Sequence, residues 1–225
     1  MSLAEFIRNV QKRHEAIPTP GAILYNATVA RVLRKPETKI ADDVAEKMGS
    51  GTILDLGSGT GYLSIEIAKR RPNLQVYGID LSRQMVRIAR RHARGMGNAH
   101  FEFGNAAELP FEDDSIDFIL STGSLHHWRT PARVFDECYR VLKASAEAWI
   151  YDGCPEAFKE QSDKIRKEYG FWVSRIGAKV AELHGFPRKE YRGQITDILD
   201  RTGFKGGYHM EPSDVWMKLT LKKRG

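Results

Sequence analysis

Short apolar runs alternate with longer amphipathic segments through the middle of the chain. The apolar runs predict five β-strands, at residues 52–56, 75–79, 100–103, 116–121 and 147–151. Between them, apolar residues spaced three or four apart predict helices. These helices cover residues 61–70, an arginine-rich segment after Asp80, and residues 131–142. Regular alternation of strand and helix predicts an α/β fold with a doubly wound, mostly parallel sheet.

The two ends of the chain depart from this alternation. Residues 3–16 and 22–33 predict two amphipathic helices, because a Pro- and Gly-containing segment separates two stretches of helical spacing. Residues 154–190 have helical spacing and no strand pattern, which predicts a helical cap beside the sheet. A helix over residues 190–202 and two strands near residues 205–211 and 214–222 follow.

The predicted organisation is therefore one main domain with two helical additions. An N-terminal helical segment covers residues 1–35 and the main domain covers residues 36–225, with residues 154–190 inserted as the cap. The 225 residues contain 41% hydrophobic residues, and no apolar run approaches the roughly 20 residues of a membrane helix. We expect a cytoplasmic protein, a monomer or homodimer without a membrane span.

A glycine-rich turn follows the first predicted strand. Gly57, Gly59 and Gly61 stand at alternate positions, with Asp55 two residues before the first of them. Glycines at a strand-to-helix turn allow a nucleotide-like ligand to approach the backbone, and the helix N-terminus attracts its negative groups. The spacing differs from the G-x-G-x-x-G of dinucleotide-binding proteins. It therefore disfavours an NAD- or nucleotide-sugar-dependent enzyme.

The second predicted strand ends in an acidic residue. Asp80 stands about 20 residues beyond the glycines, where a carboxylate can accept hydrogen bonds from ribose hydroxyls. The alternative is that Asp80 only caps the next helix, but Ser82 can do this alone. We therefore expect Asp80 to bind a ribose.

Together with three later motifs, these residues resemble a known family. The turn is similar to motif I of the class I S-adenosylmethionine-dependent methyltransferases. Residues 104–111 (GNAAELPF), 115–117 (SID) and 125–127 (LHH) resemble the type 11 group, which includes the ubiquinone/menaquinone C-methyltransferases. The match spans about residues 52–143. Two positions depart from it: Asn105 stands where the family usually has Asp, and residues 144–147 replace a Pro-Gly-Gly turn.

This resemblance implies the fold, the cofactor and the activity. The expected fold is a Rossmann-like, doubly wound, seven-stranded, mostly parallel sheet with an antiparallel last strand. S-adenosylmethionine is the expected cofactor, S-adenosylhomocysteine its product, and a small molecule the methyl acceptor. The residues expected to contact the cofactor are Asp55, Gly57, Ser58, Gly59, Gly61, Asp80, Leu81, Met85, Asn105, Ala106, Ser121 and Thr122.

The acceptor site is expected at the carboxyl ends of the central strands. His127 is predicted as the catalytic base, and Tyr25, His126 and Trp172 are predicted to contact the acceptor. Asp152 stands at another strand end. The alternative for the two histidines is that one orients the loop while the other packs against a tryptophan. No metal is predicted, because adjacent histidines do not fit one metal geometry.

Two alternatives to a small-molecule methyltransferase stay open. The chain has a net charge of +6, and five arginines lie on one predicted helix, namely Arg83, Arg87, Arg90, Arg91 and Arg94. They suggest an RNA methyltransferase, although a solvated helix face is the preferred interpretation of these arginines. The tetrapeptide typical of nucleic-acid N-methyltransferases is absent, since residues 121–124 read STGS. A non-catalytic S-adenosylmethionine-binding protein is the other alternative, because of Asn105 and the altered turn.

Overall fold

A seven-stranded sheet forms the centre of the molecule in the computed structural model, which describes residues 29–225. The strands are β1 (Gly51–Leu56), β2 (Leu74–Asp80), β3 (Ala99–Phe103), β4 (Ile116–Thr122), β5 (Leu142–Asp152), β6 (Tyr208–Ser213) and β7 (Trp216–Lys222). Their order is β3-β2-β1-β4-β5-β7-β6. Strands β1 to β5 pair in parallel, and β7 is antiparallel to both β5 and β6. The predicted mostly parallel sheet with an antiparallel last strand is confirmed.

Helices cover both faces of this sheet. They are α1 (Val29–Lys47), α2 (Tyr62–Arg70), α3 (Arg83–His92), α4 (Pro131–Val141), α5 (Pro155–Glu160), α6 (Ser162–Tyr169), α7 (Phe171–His184), α8 (Arg188–Glu190) and α9 (Thr196–Leu199), with a π-helical segment at Tyr191–Ile195. Successive side chains of a strand point to opposite faces. Ile53 of β1 therefore packs with α1, α2 and α3, while Leu54 packs with α4 and α9. Both residues are fully buried.

The first described helix is longer than the sequence pattern predicts. A helix was expected over residues 22–33, but α1 continues to Lys47 and contains Pro36. A proline inside a helix removes one hydrogen bond and costs roughly 3 kcal/mol. Burial of the next two turns offsets this cost, because Ile40, Ala41 and Val44 lie in the core. The predicted helix over residues 3–16 and the candidate Tyr25 lie outside the described residues.

Strand β5 begins earlier than predicted. The expected start was residue 147, after a turn, but β5 starts at Leu142 directly after α4. Leu142 pairs with Ile116, and the register then shifts before Phe118 pairs with Glu147. The extra residues include Ser145, whose φ of 64° lies in the left-handed region. A bulge therefore replaces the turn that the family's glycines would form.

Three short helices occupy the segment that was predicted as a cap. Helices α5, α6 and α7 follow β5, as the helical spacing predicted. A cluster of charges fastens them to the rest of the molecule. Asp214, in the turn between β6 and β7, lies 2.8 Å from the Lys39 ammonium of α1 and 3.0 Å from the Lys164 ammonium of α6. The position of these helices over an active site stays a prediction.

We expect Gly78→Ala to destabilise the fold. A methyl group at this position of β2 would lie 2.5 Å from the Phe101 ring and 2.7 Å from the Ser58 hydroxyl. Overpacking of this kind costs about 1–3 kcal/mol of the free energy of unfolding, which chemical denaturation would measure. Gly49→Ala is the matched control, because no atom lies within 4 Å of its added methyl group. Equal stability of the two variants would contradict the packing of β2 described here.

Candidate functional site

The turn between β1 and α2 is held open toward solvent by its glycines. Gly57, Gly59 and Gly61 all have φ between 54° and 77°, a region that favours glycine. A methyl group on Gly57 would lie 2.6 Å from Ser124, whereas one on Gly59 would meet no atom within 4 Å. Gly57 is therefore required by packing. Gly59 leaves the space over the turn free for a ligand.

Asp80 connects this turn to the next helix. Its Oδ2 accepts the Gly59 N–H at 2.9 Å, and its Oδ1 accepts the Ser82 N–H at 2.7 Å. The Ser82 hydroxyl accepts the Met85 N–H and caps α3, so Asp80 is not needed as the cap. Burial raises the pKa of Asp80, while the two N–H donors lower it. Each carboxylate oxygen keeps a lone pair that ribose hydroxyls can use.

Asp55 lies beneath the turn with one oxygen unsatisfied. The side chain is buried, and its Oδ2 accepts a hydrogen bond from the Ser64 hydroxyl of α2. Its Oδ1 has no hydrogen-bond partner among the described residues, and neither has the nearby Ser58 hydroxyl. Burial raises the pKa of Asp55 to about 7. An unpaired buried carboxylate oxygen suits a cationic ligand, and the α-ammonium of S-adenosylmethionine is such a group.

The turn after β3 is organised by Asn105. Its Oδ1 accepts the Ala107 N–H at 2.9 Å, and its backbone carbonyl accepts the Glu108 N–H at 2.9 Å. One lone pair of Oδ1 is left for an adenine amino group, as predicted for this position. Ala106 and Leu81 are half-buried, at the ends of β3 and β2. Met85 is buried in the first turn of α3.

The hydroxyl of Ser121 joins the two central strands. It donates to the Leu56 carbonyl at 2.8 Å and lies 2.6 Å from the Ser124 hydroxyl, with both serines buried. Thr122 follows at the end of β4 and is half-buried. The predicted cofactor residues thus cluster at the carboxyl ends of β1, β2, β3 and β4. Their individual contacts with a cofactor stay predictions.

His126 and Asp152 form a buried pair at the ends of β4 and β5. His126 lies in a 3₁₀ turn (Leu125–His127), and its Nδ1 is 2.8 Å from Asp152 Oδ1. Asp152 also accepts the backbone N–H groups of His126 and Gly153, at 2.8 and 2.6 Å. Because a carboxylate only accepts hydrogen bonds, Nδ1 carries a proton, and in the neutral ring the lone pair then lies on Nε2. This tautomer suits a general base.

The other predicted acceptor residues are less closely associated. His127 is half-buried beside His126, with their ring centroids 4.1 Å apart. Trp128 packs against Phe135 at a centroid distance of 5.5 Å. Trp172 lies on α7 with 70% of its surface exposed. The sequence pattern predicted that Asp152 lies at a strand end, but it did not predict the contact of Asp152 with His126.

The arginines of α3 border a separate groove. The groove has a volume of about 510 Å³ and is lined by Arg83, Val86, Arg87, Arg90, Glu102 and Phe103. The exposed Phe103 ring comes from β3, and the Arg83 guanidinium lies 4.0 Å above it. Sequence patterns do not predict the contact of Arg83 with Phe103, because the two residues are 20 positions apart. A solvated helix face stays the preferred interpretation.

Within residues 29–225, we find neither a metal-binding cluster nor a membrane-spanning helix. No group of three or more His, Cys, Asp or Glu side chains there could hold a metal ion. No helix in this part of the chain is long and apolar enough to cross a bilayer.

Comparisons with known proteins point to methyltransferases. A family model described as a methyltransferase domain matches residues 53–145. A malonyl-[acyl-carrier protein] O-methyltransferase of Geobacter sulfurreducens is 33% identical, covering 82% of this chain and 67% of its own. A demethylmenaquinone methyltransferase of Porphyromonas gingivalis is 26% identical, covering 87% and 85%.

Solved structures share the fold. A protein of Methanococcus maripaludis, provisionally assigned as an S-adenosylmethionine-dependent methyltransferase, superposes with a TM-score of 0.72. The alignment covers 92% of this chain and 93% of that protein, at 24% sequence identity. This likeness supports the order and direction of the seven strands.

We expect Asp80→Asn to weaken binding of S-adenosylmethionine and S-adenosylhomocysteine. The amide replaces one of two oxygens that accept N–H donors, and it accepts ribose hydroxyls less well than a carboxylate. Loss of charge-assisted hydrogen bonds costs about 1.5–3 kcal/mol, or roughly 10- to 150-fold in the dissociation constant measured by calorimetry. The control is Asp113→Asn, which alters an exposed acid. Equal dissociation constants for Asp80→Asn and the unmodified protein would contradict the role of Asp80.

Proposed function

Because the chain belongs to the class I S-adenosylmethionine-dependent methyltransferases of the type 11 group, we propose that it methylates a small quinol, with His126 as the base. The enzyme uses S-adenosylmethionine and forms S-adenosylhomocysteine. One observation carries the proposal: the buried pair of His126 and Asp152 stands where parallel strands β4 and β5 end. Acceptors bind at this edge of doubly wound sheets.

The arrangement of the pair supports a base rather than a loop anchor alone. Asp152 accepts three N–H donors, namely the ring Nδ1 and the backbone N–H of His126 after β4 and the backbone N–H of Gly153 after β5. These bonds fix the carboxylate, and the carboxylate in turn fixes the imidazole ring and its tautomer. Asp152 is thus a positioning residue, and His126 is the group that meets the acceptor.

A base at this point favours an acceptor that must lose a proton. A hydroquinone hydroxyl resembles that of tyrosine, whose pKa is about 10, and is protonated at neutral pH. A carboxylate acceptor is already ionised and needs no base. The name of the Porphyromonas gingivalis relative, a demethylmenaquinone methyltransferase, supports the quinol class for this chain. The name of the Geobacter sulfurreducens relative supports a carboxylate instead, and the pair at β4 and β5 speaks against it.

The cofactor and His126 have different roles in the reaction. The cofactor supplies a methyl group already activated by its sulfonium. His126 Nε2 takes the hydroxyl proton, which places negative charge on the quinol and makes its ring carbon nucleophilic. The methylated carbon then releases its own proton to water, the electron pair of that C–H bond returns to the ring and oxygen, and the oxygen regains its proton from His126. The chain therefore orients the quinol and moves one proton out and back.

We expect His126→Gln to remove most of the activity. Loss of a general base lowers kcat about 10²- to 10⁴-fold. Formation of S-adenosylhomocysteine with a short-chain hydroquinone would measure it. His127→Gln is the matched control, because it changes the neighbouring ring but leaves the pair with Asp152. Calorimetry should give both variants the cofactor affinity of the unmodified enzyme.

The same assay separates the acceptor classes. The proposal requires turnover of the hydroquinone and its loss in His126→Gln. Turnover of a malonyl thioester, unaffected by His126→Gln, would overturn it. A larger loss of activity in His127→Gln than in His126→Gln would move the base to His127.

A further inference from the structure

Gly153 connects the pair of His126 and Asp152 to the segment that follows α7. The Gly153 N–H donates to Asp152 Oδ1 at 2.6 Å, and the same oxygen lies 2.8 Å from His126 Nδ1. One carboxylate oxygen is therefore shared by the imidazole ring and by the backbone that follows β5. Because both donors meet at this oxygen, a displacement of Gly153 changes the hydrogen bond that orients the ring.

The carbonyl group of Gly153 is held by two donors from the segment after α7. It accepts the Phe186 N–H at 2.9 Å and the Tyr191 hydroxyl at 3.2 Å. A carbonyl oxygen has two lone pairs, so these two donors complete its hydrogen bonding. Gly153 is thus bound at both of its backbone groups, to Asp152 through its N–H and to residues 186 and 191 through its carbonyl.

The backbones of Gly153 and Gly185 are in direct contact. A methyl group on Gly153 would lie 3.0 Å from the Gly185 Cα, and one on Gly185 would lie 2.5 Å from the Gly153 carbonyl carbon and oxygen. Neither position has room for a side chain. The chain that leaves α7 therefore lies against the end of β5, where a shift of one backbone displaces the other.

The segment that leads to Tyr191 is also attached to α5. The Arg188 guanidinium forms two hydrogen bonds with the Glu160 carboxylate, at 2.7 and 2.6 Å. The Arg188 backbone N–H donates to the Glu156 carboxylate at 3.1 Å. Both acids belong to α5, which begins at residue 155, directly after the strand end. Tyr191 therefore reaches Gly153 from a segment that is anchored on either side of it.

Tyr191 is the first residue of the π-helical segment Tyr191–Ile195. Its side chain is 1% exposed, and its ring packs edge to face against Phe186. Burial raises the pKa of Tyr191 well above its usual range, and the charge of Asp152 raises it further. The hydroxyl is therefore protonated and acts as a donor to Gly153. Short π-helical turns are rare and occur frequently at functional sites.

We propose that Tyr191 is a positioning residue for the methyl transfer: it holds the Gly153 carbonyl, Gly153 orients the Asp152 carboxylate, and Asp152 orients the ring of His126. The proposal rests on the function proposed above, because Tyr191 acts only through the base. Its hydroxyl is buried and bonded to a backbone carbonyl, so it does not contact the acceptor. The alternative is that Tyr191 only fills the core, in which case its hydroxyl is dispensable for the reaction.

Tyr191→Phe tests the proposal, because it removes the hydroxyl and keeps the ring in the core. We expect kcat for the hydroquinone to fall about 3- to 30-fold, while the acceptor KM stays within about twofold. Calorimetry should give the S-adenosylhomocysteine affinity of the unmodified enzyme. The matched control is Tyr208→Phe, which removes a hydroxyl that donates to Asp200 at 2.9 Å, away from the pair. This control should leave kcat unchanged.

A double-mutant cycle with His126→Gln separates positioning from a general structural effect. If Tyr191 acts through the base, Tyr191→Phe should change kcat by less than about twofold in a protein that already contains His126→Gln. A structural role predicts the same fractional loss in both backgrounds, and this result would overturn the proposal.

The remaining outcomes overturn the proposal in distinguishable ways. Unchanged kcat in Tyr191→Phe would remove Tyr191 from the reaction and leave His126 as the base. A loss of cofactor affinity together with kcat would make the effect one of folding rather than of positioning. Absence of hydroquinone turnover by the unmodified enzyme would instead reject the proposed function, and the role of Tyr191 with it.

Discussion

The position of the predicted cofactor-binding turn after β1 depends on how the end of β2 holds it. Three consecutive N–H groups of that turn, from Gly57, Ser58 and Gly59, are bound by the Ile79 carbonyl and the Asp80 carboxylate. A turn in left-handed backbone would otherwise leave these donors unsatisfied. Because the bonds come from the neighbouring strand, the turn is set by sheet pairing rather than by its own sequence. These hydrogen bonds also fix the direction of α2, the helix that follows the turn.

Acidic side chains lie toward the carboxyl ends of β1, β2 and β5, and they accept different numbers of hydrogen bonds. Asp80 accepts two backbone donors and Asp152 accepts three N–H groups. Asp55 accepts one hydroxyl, and its other oxygen has no partner in the part of the chain that the structure describes. Burying a carboxylate costs more free energy when fewer N–H or O–H groups donate hydrogen bonds to it. The fully bonded acids orient neighbouring groups. Asp55 lacks a donor for one of its oxygens, so a ligand that donates a hydrogen bond there would stabilise the fold.

Local patterns predicted most of the fold and half of the candidate site. Gly57 and Asp80 could be recognised because the turn, the strand end and the spacing between them all lie within one βαβ unit. The pair of His126 with Asp152 could not, since it joins two strands across 26 positions and depends on their register. The continuation of α1 to Lys47 escaped prediction because Pro36 marks a helix end in sequence, whereas tertiary burial carries α1 through it.

The continuity of α1 past its proline also makes it a mechanical link. Within two residues, Thr38 contacts the first residue of α2 and Lys39 contacts Asp214, which in turn holds Lys164 of α6. A rigid helix cannot move at one of these contacts without moving at the other. Any shift of α1 that accompanies cofactor entry therefore strains or relaxes the ionic attachment of the three helices after β5.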